Sequence, residues 1–62
     1  MKKRELTRKL AGYGWYLLRQ GGSHEVWTNG DHVITVPRHS EIKENTARMI
    51  LREAAMNPGP KK

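Results

Sequence analysis

The sequence contains no cysteine and few acidic residues, and both shortages exclude classes of function. Its 62 residues include six aspartates and glutamates and no cysteine. Without cysteine the chain forms no disulfide, holds no metal through thiolates and performs no thiol catalysis. No apolar run approaches the roughly 20 residues of a membrane-spanning helix. The glycines, Gly12, Gly14, Gly21 and Gly22 among them, fit neither phosphate-binding loop pattern.

Positive charge is abundant, and it is concentrated toward the two ends of the chain. Twelve lysines and arginines give a net charge of +6. Residues 1–20 carry +5, residues 21–42 carry −2 and residues 43–62 carry +3. This excess favours a polyanion such as RNA as the partner, and a basic surface that only confers solubility is the alternative.

The apolar content allows only one small core. Hydrophobic residues make up 35% of the chain, and a core this small rarely supplies more than about 3 to 5 kcal/mol. We therefore expect a single domain over residues 1–56 that gains stability from association with a partner. Residues 57–62, which contain Pro58 and Pro60, are predicted to form a disordered basic tail. Glu5 and Thr7 follow the first cations where a signal peptide would be apolar, so we expect a cytoplasmic protein.

The residue pattern predicts an α+β fold. The helical spacing of Leu6, Leu10 and Tyr13 predicts a first helix over residues 4–13, and that of Ala47 and Ile50 a second over about 44–55. Between them lie three predicted strands, over 15–20, 24–28 and 32–36. The first is apolar at both parities and is expected to be buried on much of both sides. Asn29-Gly30-Asp31 predicts a tight hairpin turn, with the central pair undecided. Since each helix has one apolar stripe, both should cover one face of an antiparallel sheet.

Three histidines are the candidates for chemistry, because imidazole suits proton transfer near neutral pH. His24 follows Gly21-Gly22-Ser23, where small residues leave room for a ligand, although an exposed edge histidine without a role is the alternative. Hairpin pairing should bring His39 close to His24 and leave His32 at the opposite end. No cluster of carboxylates accompanies them, so we expect neither metal nor cofactor. Ser23 and His24 are adjacent in sequence and are expected to point to opposite faces of a strand, which argues against a serine nucleophile.

Several segments together resemble the HicA family of bacterial toxins, which are small mRNA interferases encoded beside a HicB antitoxin. The similarity covers residues 4 to 54, and its most specific elements are Gly22-Ser23-His24 and Val36-Pro37-Arg38-His39. Further matches are Glu5-Leu6, Arg8-Lys9-Leu10, Gly14-Trp15, Arg19-Gln20-Gly21, Glu41-Ile42-Lys43 and Arg48-Met49-Ile50-Leu51.

The resemblance implies a fold like the double-stranded-RNA-binding domain, α-β-β-β-α, and an mRNA-cleaving endoribonuclease with His24 as the catalytic residue. It also implies a HicB-type antitoxin, which we expect to cover His24. One histidine cannot hold both protonation states in one step, so His39 or a water is the possible second acid or base.

We assign RNA contacts to four residues, namely Arg19, Ser23, Arg38 and Lys43. Two other functions remain open: a non-catalytic RNA-binding module, and an interaction protein that docks an acidic partner.

Overall fold

The computed structural model describes residues 1–59, which form an α-β-β-β-α arrangement as the sequence predicts. The elements are α1 (Lys3–Gly12), β1 (Tyr16–Gly21), β2 (His24–Thr28), β3 (Val33–Pro37) and α2 (Glu44–Met56). None of the helices in this part of the chain has the length and apolar character needed to cross a membrane.

The first helix ends in a glycine turn that leads the chain into the core. Leu6 and Leu10, four residues apart on α1, are fully buried. The N–H of Gly14 donates to Ala11, and the N–H of Trp15 donates to Leu10. This is the Schellman pattern, and Gly14 adopts the positive φ of +90° that the pattern requires. Trp15 therefore enters the core beside Leu10.

The sheet is antiparallel with strand order β1-β2-β3, so β2 is central. Every residue of β1 is exposed, and the expectation that this strand is buried on both sides is wrong. The register shifts between Leu17 and Arg19, which leaves Leu18 as a bulge in this edge strand. Only Trp15, just before the strand, is buried among these apolar residues.

The β2–β3 turn is held by the side chain of Asn29. Its Oδ1 accepts hydrogen bonds from the N–H groups of Asp31 (2.7 Å) and His32 (2.6 Å). Gly30 has a φ of +99°, so Gly30-Asp31 is the central pair. His32 consequently belongs to the turn, and the third strand runs one residue later than predicted, over Val33–Pro37.

The core lies between the sheet and the two helices, which cover the same face. From α2, Ala47, Ile50 and Ala54 are buried as their spacing predicts. Val36 of β3 is fully buried, and Ile34 packs against the same cluster. Because cross-strand partners share a face, the opposite face of the sheet carries His24 and its register partners on the other strands.

The segment after α2 packs against the start of the sheet. The indole N–H of Trp15 donates to the carbonyl of Asn57 (2.9 Å), and the N–H of Gly59 donates to Tyr13 (2.7 Å). A buried indole donor needs an acceptor, and the carbonyl of Asn57 supplies one. A disordered tail over residues 57–62 stays a prediction. The rest of the expected tail, residues 60–62, lies outside the described residues.

Candidate active site

His24 begins β2 directly after a two-residue hairpin turn. Gly21 pairs with His24, so Gly22 and Ser23 form the turn. Gly22 has a φ of +54°, as in hairpin turns whose first central residue is glycine. The turn presents the His24 ring at the end of the central strand, where the side chain is exposed.

Ser23 contacts His24, contrary to the expectation that the two side chains point apart. Ser23 Oγ lies 3.2 Å from Nδ1 of His24. The contact arises because Ser23 belongs to the turn and is not subject to the alternation of strand residues. It engages Nδ1 whichever tautomer is present, so Nε2 is the ring nitrogen available to a ligand. Ser23 thus orients the imidazole.

His24 and His39 line the same cleft, as the hairpin argument predicts. The cleft has a volume of about 270 Å³. Its walls come from the start of β2, the end of β3, the connection that follows and the first turn of α2, and the lining residues are His24, Pro37, His39, Glu41, Ile42, Lys43 and Thr46. His32 lies in the distant β2–β3 turn, where its Nε2 is 3.6 Å from Oδ2 of Asp31. The structure thus separates the third histidine from the other two.

The three predicted phosphate-binding cations lie at different distances from this cleft. Lys43 lines it. Arg38 borders it. Its backbone N–H donates to the carbonyl of Ser23 (2.9 Å), and its side-chain Nη1 donates to the carbonyl of Gly22 (3.1 Å). Arg19 does not line the cleft. It pairs with Val26 and shares the open sheet face with His24, two positions along β2.

A buried carboxylate lies behind His24, on the helix-covered side of β2. Glu25 is 6% exposed, and its carboxylate accepts hydrogen bonds from Lys3 Nζ (2.8 Å) and Trp27 Nε1 (3.0 Å). Burial alone would raise the pKa of Glu25, but these two bonds and the charges of Lys3 and Arg38 outweigh it, so the pKa is lowered. The pair ties α1 to the strand that carries His24. The only sequence signal for this role is Glu25 at a core-facing position.

Glu41 is a cleft residue that the sequence analysis did not identify. Its carboxylate accepts a hydrogen bond from the amino group of Met1 (3.1 Å) and lies 3.7 Å from Lys2 Nζ. The hydrogen bond and charge of that amino group lower the pKa of Glu41. Its negative charge is therefore offset by cations from the start of the chain. An isolated β-bridge between Lys2 and Glu41 fixes this arrangement.

The cleft combines proton carriers with cations and offers no metal cage. Among residues 1–59, no three histidine or acidic side chains are grouped closely enough to hold a metal ion. Two imidazoles, a serine that orients one of them, and the cations Arg38 and Lys43 are arranged around one opening. Such a set can move protons next to a bound phosphate group.

Comparison with known proteins identifies the family to which the chain belongs. A family model described as "HicA toxin of bacterial toxin-antitoxin" matches residues 4–56. The matched range includes every residue of the cleft and runs from α1 to the last residue of α2. No curated protein and no solved structure matches the chain.

Proposed function

The chain belongs to the HicA family of toxins of bacterial toxin–antitoxin systems, and on this premise we propose that it is an endoribonuclease that cleaves mRNA with His24 as the catalytic residue. The observation that carries the proposal is the cleft in which His24 and His39 lie together beside Lys43. Two imidazoles at one opening supply the acid and the base that in-line cleavage of RNA requires.

The mechanism uses the 2′-hydroxyl of the RNA as the nucleophile. His24 takes the proton from this hydroxyl, and the oxygen attacks the adjacent phosphorus. The bond from phosphorus to the 5′-oxygen breaks, and His39 or a water returns a proton to the leaving oxygen. The products are a 2′,3′-cyclic phosphate and a 5′-hydroxyl. No atom of this scheme comes from a metal or a cofactor.

The neighbouring residues position the ring and the phosphate. Ser23 Oγ holds Nδ1 of His24 and leaves Nε2 toward the substrate. Arg38 uses one N–H of its guanidinium on Gly22, and its other donors can meet a phosphate oxygen. Lys43 at the cleft supplies a second cation, and Arg19 extends the positive surface along the open sheet face.

The partner is the antitoxin. We propose a HicB-type protein that covers His24, because a nuclease that attacks the mRNA of its own cell must be kept inactive. An antitoxin that binds the folded toxin but not the unfolded chain would also stabilise this small core by mass action.

A cleavage assay with purified protein tests this function. Labelled single-stranded RNA should be cut in the presence of a chelator, and a 2′-O-methyl RNA of the same sequence should stay intact because its nucleophile is blocked. His24→Ala should remove the activity, and His32→Ala, in the distant turn, serves as the matched control. Binding of RNA by the wild-type chain without cleavage would identify a non-catalytic RNA-binding module. Products with 5′-phosphates, or activity only with a divalent ion, would refute the mechanism.

A further inference from the structure

The outer edge of β3 is an open sheet edge without the usual protection against pairing. In the described part of the chain β3 pairs only with β2. Its five residues, Val33–Pro37, carry no charge and no bulge, and Pro37 stands at its very end. By contrast, the other edge strand, β1, contains a bulge at Leu18 and the cation Arg19. Bulges and charges discourage strand addition, and β3 has neither, so β3 is the edge at which another strand can pair.

An apolar groove runs beside this edge, between β3 and α2. Its volume is about 530 Å³, and we call it the β3 groove. It is lined by Val33, Ile34, Thr35, Met49, Ile50 and Glu53. Two of its apolar side chains are largely exposed, namely Val33 at 58% and Met49 at 71%. Covering them would remove apolar surface from water.

A cationic groove adjoins the β3 groove across Met49. It is lined by Asn45, Arg48, Met49 and Arg52, and we call it the arginine groove. Arg48 and Arg52 are four residues apart on α2 and lie side by side. Neither forms an ion pair with an acidic side chain among the described residues. An occupant of both grooves therefore needs apolar side chains in the β3 groove and acidic side chains against Arg48 and Arg52.

We propose that an extended acidic segment of the antitoxin partner adds to the edge of β3, with apolar residues in the β3 groove and carboxylates on Arg48 and Arg52. This inference rests on the proposed function only for the existence of that partner. Backbone hydrogen bonds to β3 would supply affinity, and the alternating side chains would supply specificity. Pro37, at the end of β3, pairs with His24, so a segment that follows the edge arrives at the cleft.

Charge and surface chemistry favour this occupant over two others. A second copy of the chain would bring another +6 to a surface that already carries Arg48 and Arg52, neither of which has an acidic partner within residues 1–59. The phosphates of RNA could contact the two arginines, but RNA would not cover the exposed Val33 and Met49. No aromatic side chain lines either groove, so the bases would have nothing to stack on.

The test measures binding of the chain to the HicB-type antitoxin encoded beside its gene. Met49→Glu places a like charge against the acidic segment and should weaken binding by at least about tenfold, the effect of losing one central contact. Met56→Glu is the matched control, since Met56 is also on α2, is 72% exposed and lines neither groove. Its affinity should stay within about threefold of wild type. RNA cleavage by free Met49→Glu should equal that of wild type.

Hydrogen exchange of the wild-type complex supplies a second readout. The backbone N–H groups of residues 33–36 that do not pair with β2 should exchange more slowly once the antitoxin is bound. A stable complex with unchanged exchange in β3, or equal affinities of Met49→Glu and Met56→Glu, would refute strand addition. A wild-type chain that dimerises through β3 would also refute it, in favour of a second copy. Failure of the nuclease proposal is separate, because it would appear as absent cleavage while the complex still forms.

Discussion

Replacement of Lys3 by methionine should destabilise the protein markedly, because it leaves a buried carboxylate without its cation. The side chain of Glu25 is 7% exposed and that of Lys3 is 25% exposed, with 2.8 Å between Oε2 and Nζ. Methionine keeps most of the aliphatic length of lysine and removes the charge. After the change, Trp27 Nε1 is the one remaining hydrogen-bond donor to Glu25 among the described side chains.

The magnitude follows from the burial of the two partners. Removal of one partner from a fully buried ion pair costs about 3 to 5 kcal/mol. Lys3 retains contact with water, so we expect about 2 kcal/mol, which lies between that range and the smaller value of surface pairs. In a domain of this length each kcal/mol lowers the melting temperature by about 4 to 8 °C. Lys3→Met should therefore melt about 8 to 16 °C below wild type at neutral pH.

The difference between the two proteins should depend on pH in a defined direction. The pKa of Glu25 is lowered in the folded protein, so its contribution to stability is complete above the ordinary glutamate value of 4.5 and is lost as the pH falls through the lowered value. Removal of Lys3 takes away one hydrogen bond and one positive charge that favour the ionised carboxylate, so the pKa of Glu25 rises from its lowered value. Melting curves of wild type and Lys3→Met should thus converge as the pH is lowered below 4.5.

The control for this experiment is Lys2→Met. Lys2 and Glu41 are 70% and 64% exposed and lie 3.7 Å apart, and such surface pairs contribute about 0 to 1 kcal/mol. Circular dichroism melts of both variants between pH 3 and pH 7 provide the comparison. Equal melting temperatures for the two variants at pH 7, or a gap for Lys3→Met that persists unchanged at pH 3, would refute the electrostatic account of α1 docking.

Three further outcomes are expected. His24→Ala should reduce RNA cleavage by about 10²- to 10⁴-fold. It should change the free energy of unfolding by no more than about 0.5 kcal/mol, since the side chain is exposed. An unfolded variant in circular dichroism would indicate a structural histidine instead. Gly14→Ala should lower the melting temperature, because φ at Gly14 is +90° and the added Cβ would lie 2.8 Å from the backbone of Gly59. Gly12→Ala is the control: its added Cβ meets nothing within 4 Å, so the melting temperature should not fall. RNA affinity in titrations should fall steeply with added salt; a flat response would contradict binding through phosphates.

Helix positions and the order of elements could be predicted from sequence because the spacing of apolar residues is a local property. Leu6 and Leu10 on α1, and Ala47 and Ile50 on α2, are buried where the period of 3.6 residues places them. The exposure of β1 could not be predicted in this way. Whether a strand is buried depends on its place in the strand order and on which strands the helices cover, and the residues of Tyr16–Gly21 are the same in either case.

For the candidate site, the sequence indicated which residues come together but not how they are held. Pairing of β2 with β3 was enough to predict that His24 and His39 approach one another. The contact between Ser23 and His24 depends on the turn conformation at Gly22, which alternation rules for strands do not describe. Glu41 is held at the cleft by a bridge to Lys2, which is nearly two thirds of the chain away in sequence, and no local pattern predicts such a contact.

The contacts that Trp15 makes with the end of α2 bear on when a newly made chain acquires its shape during synthesis. The strands form a meander of neighbours in sequence and can pair as soon as residue 37 is available. Among the described residues, the indole N–H of Trp15 has its acceptors at Ala54 and Asn57. The cleft gains Lys43 and Thr46 from the residues around the start of α2. A ribosome-bound chain that has emerged as far as β3 can therefore pair its strands but lacks one wall of the cleft. The proposed nuclease site is completed late, after nearly all of the described chain has left the ribosome that translates it.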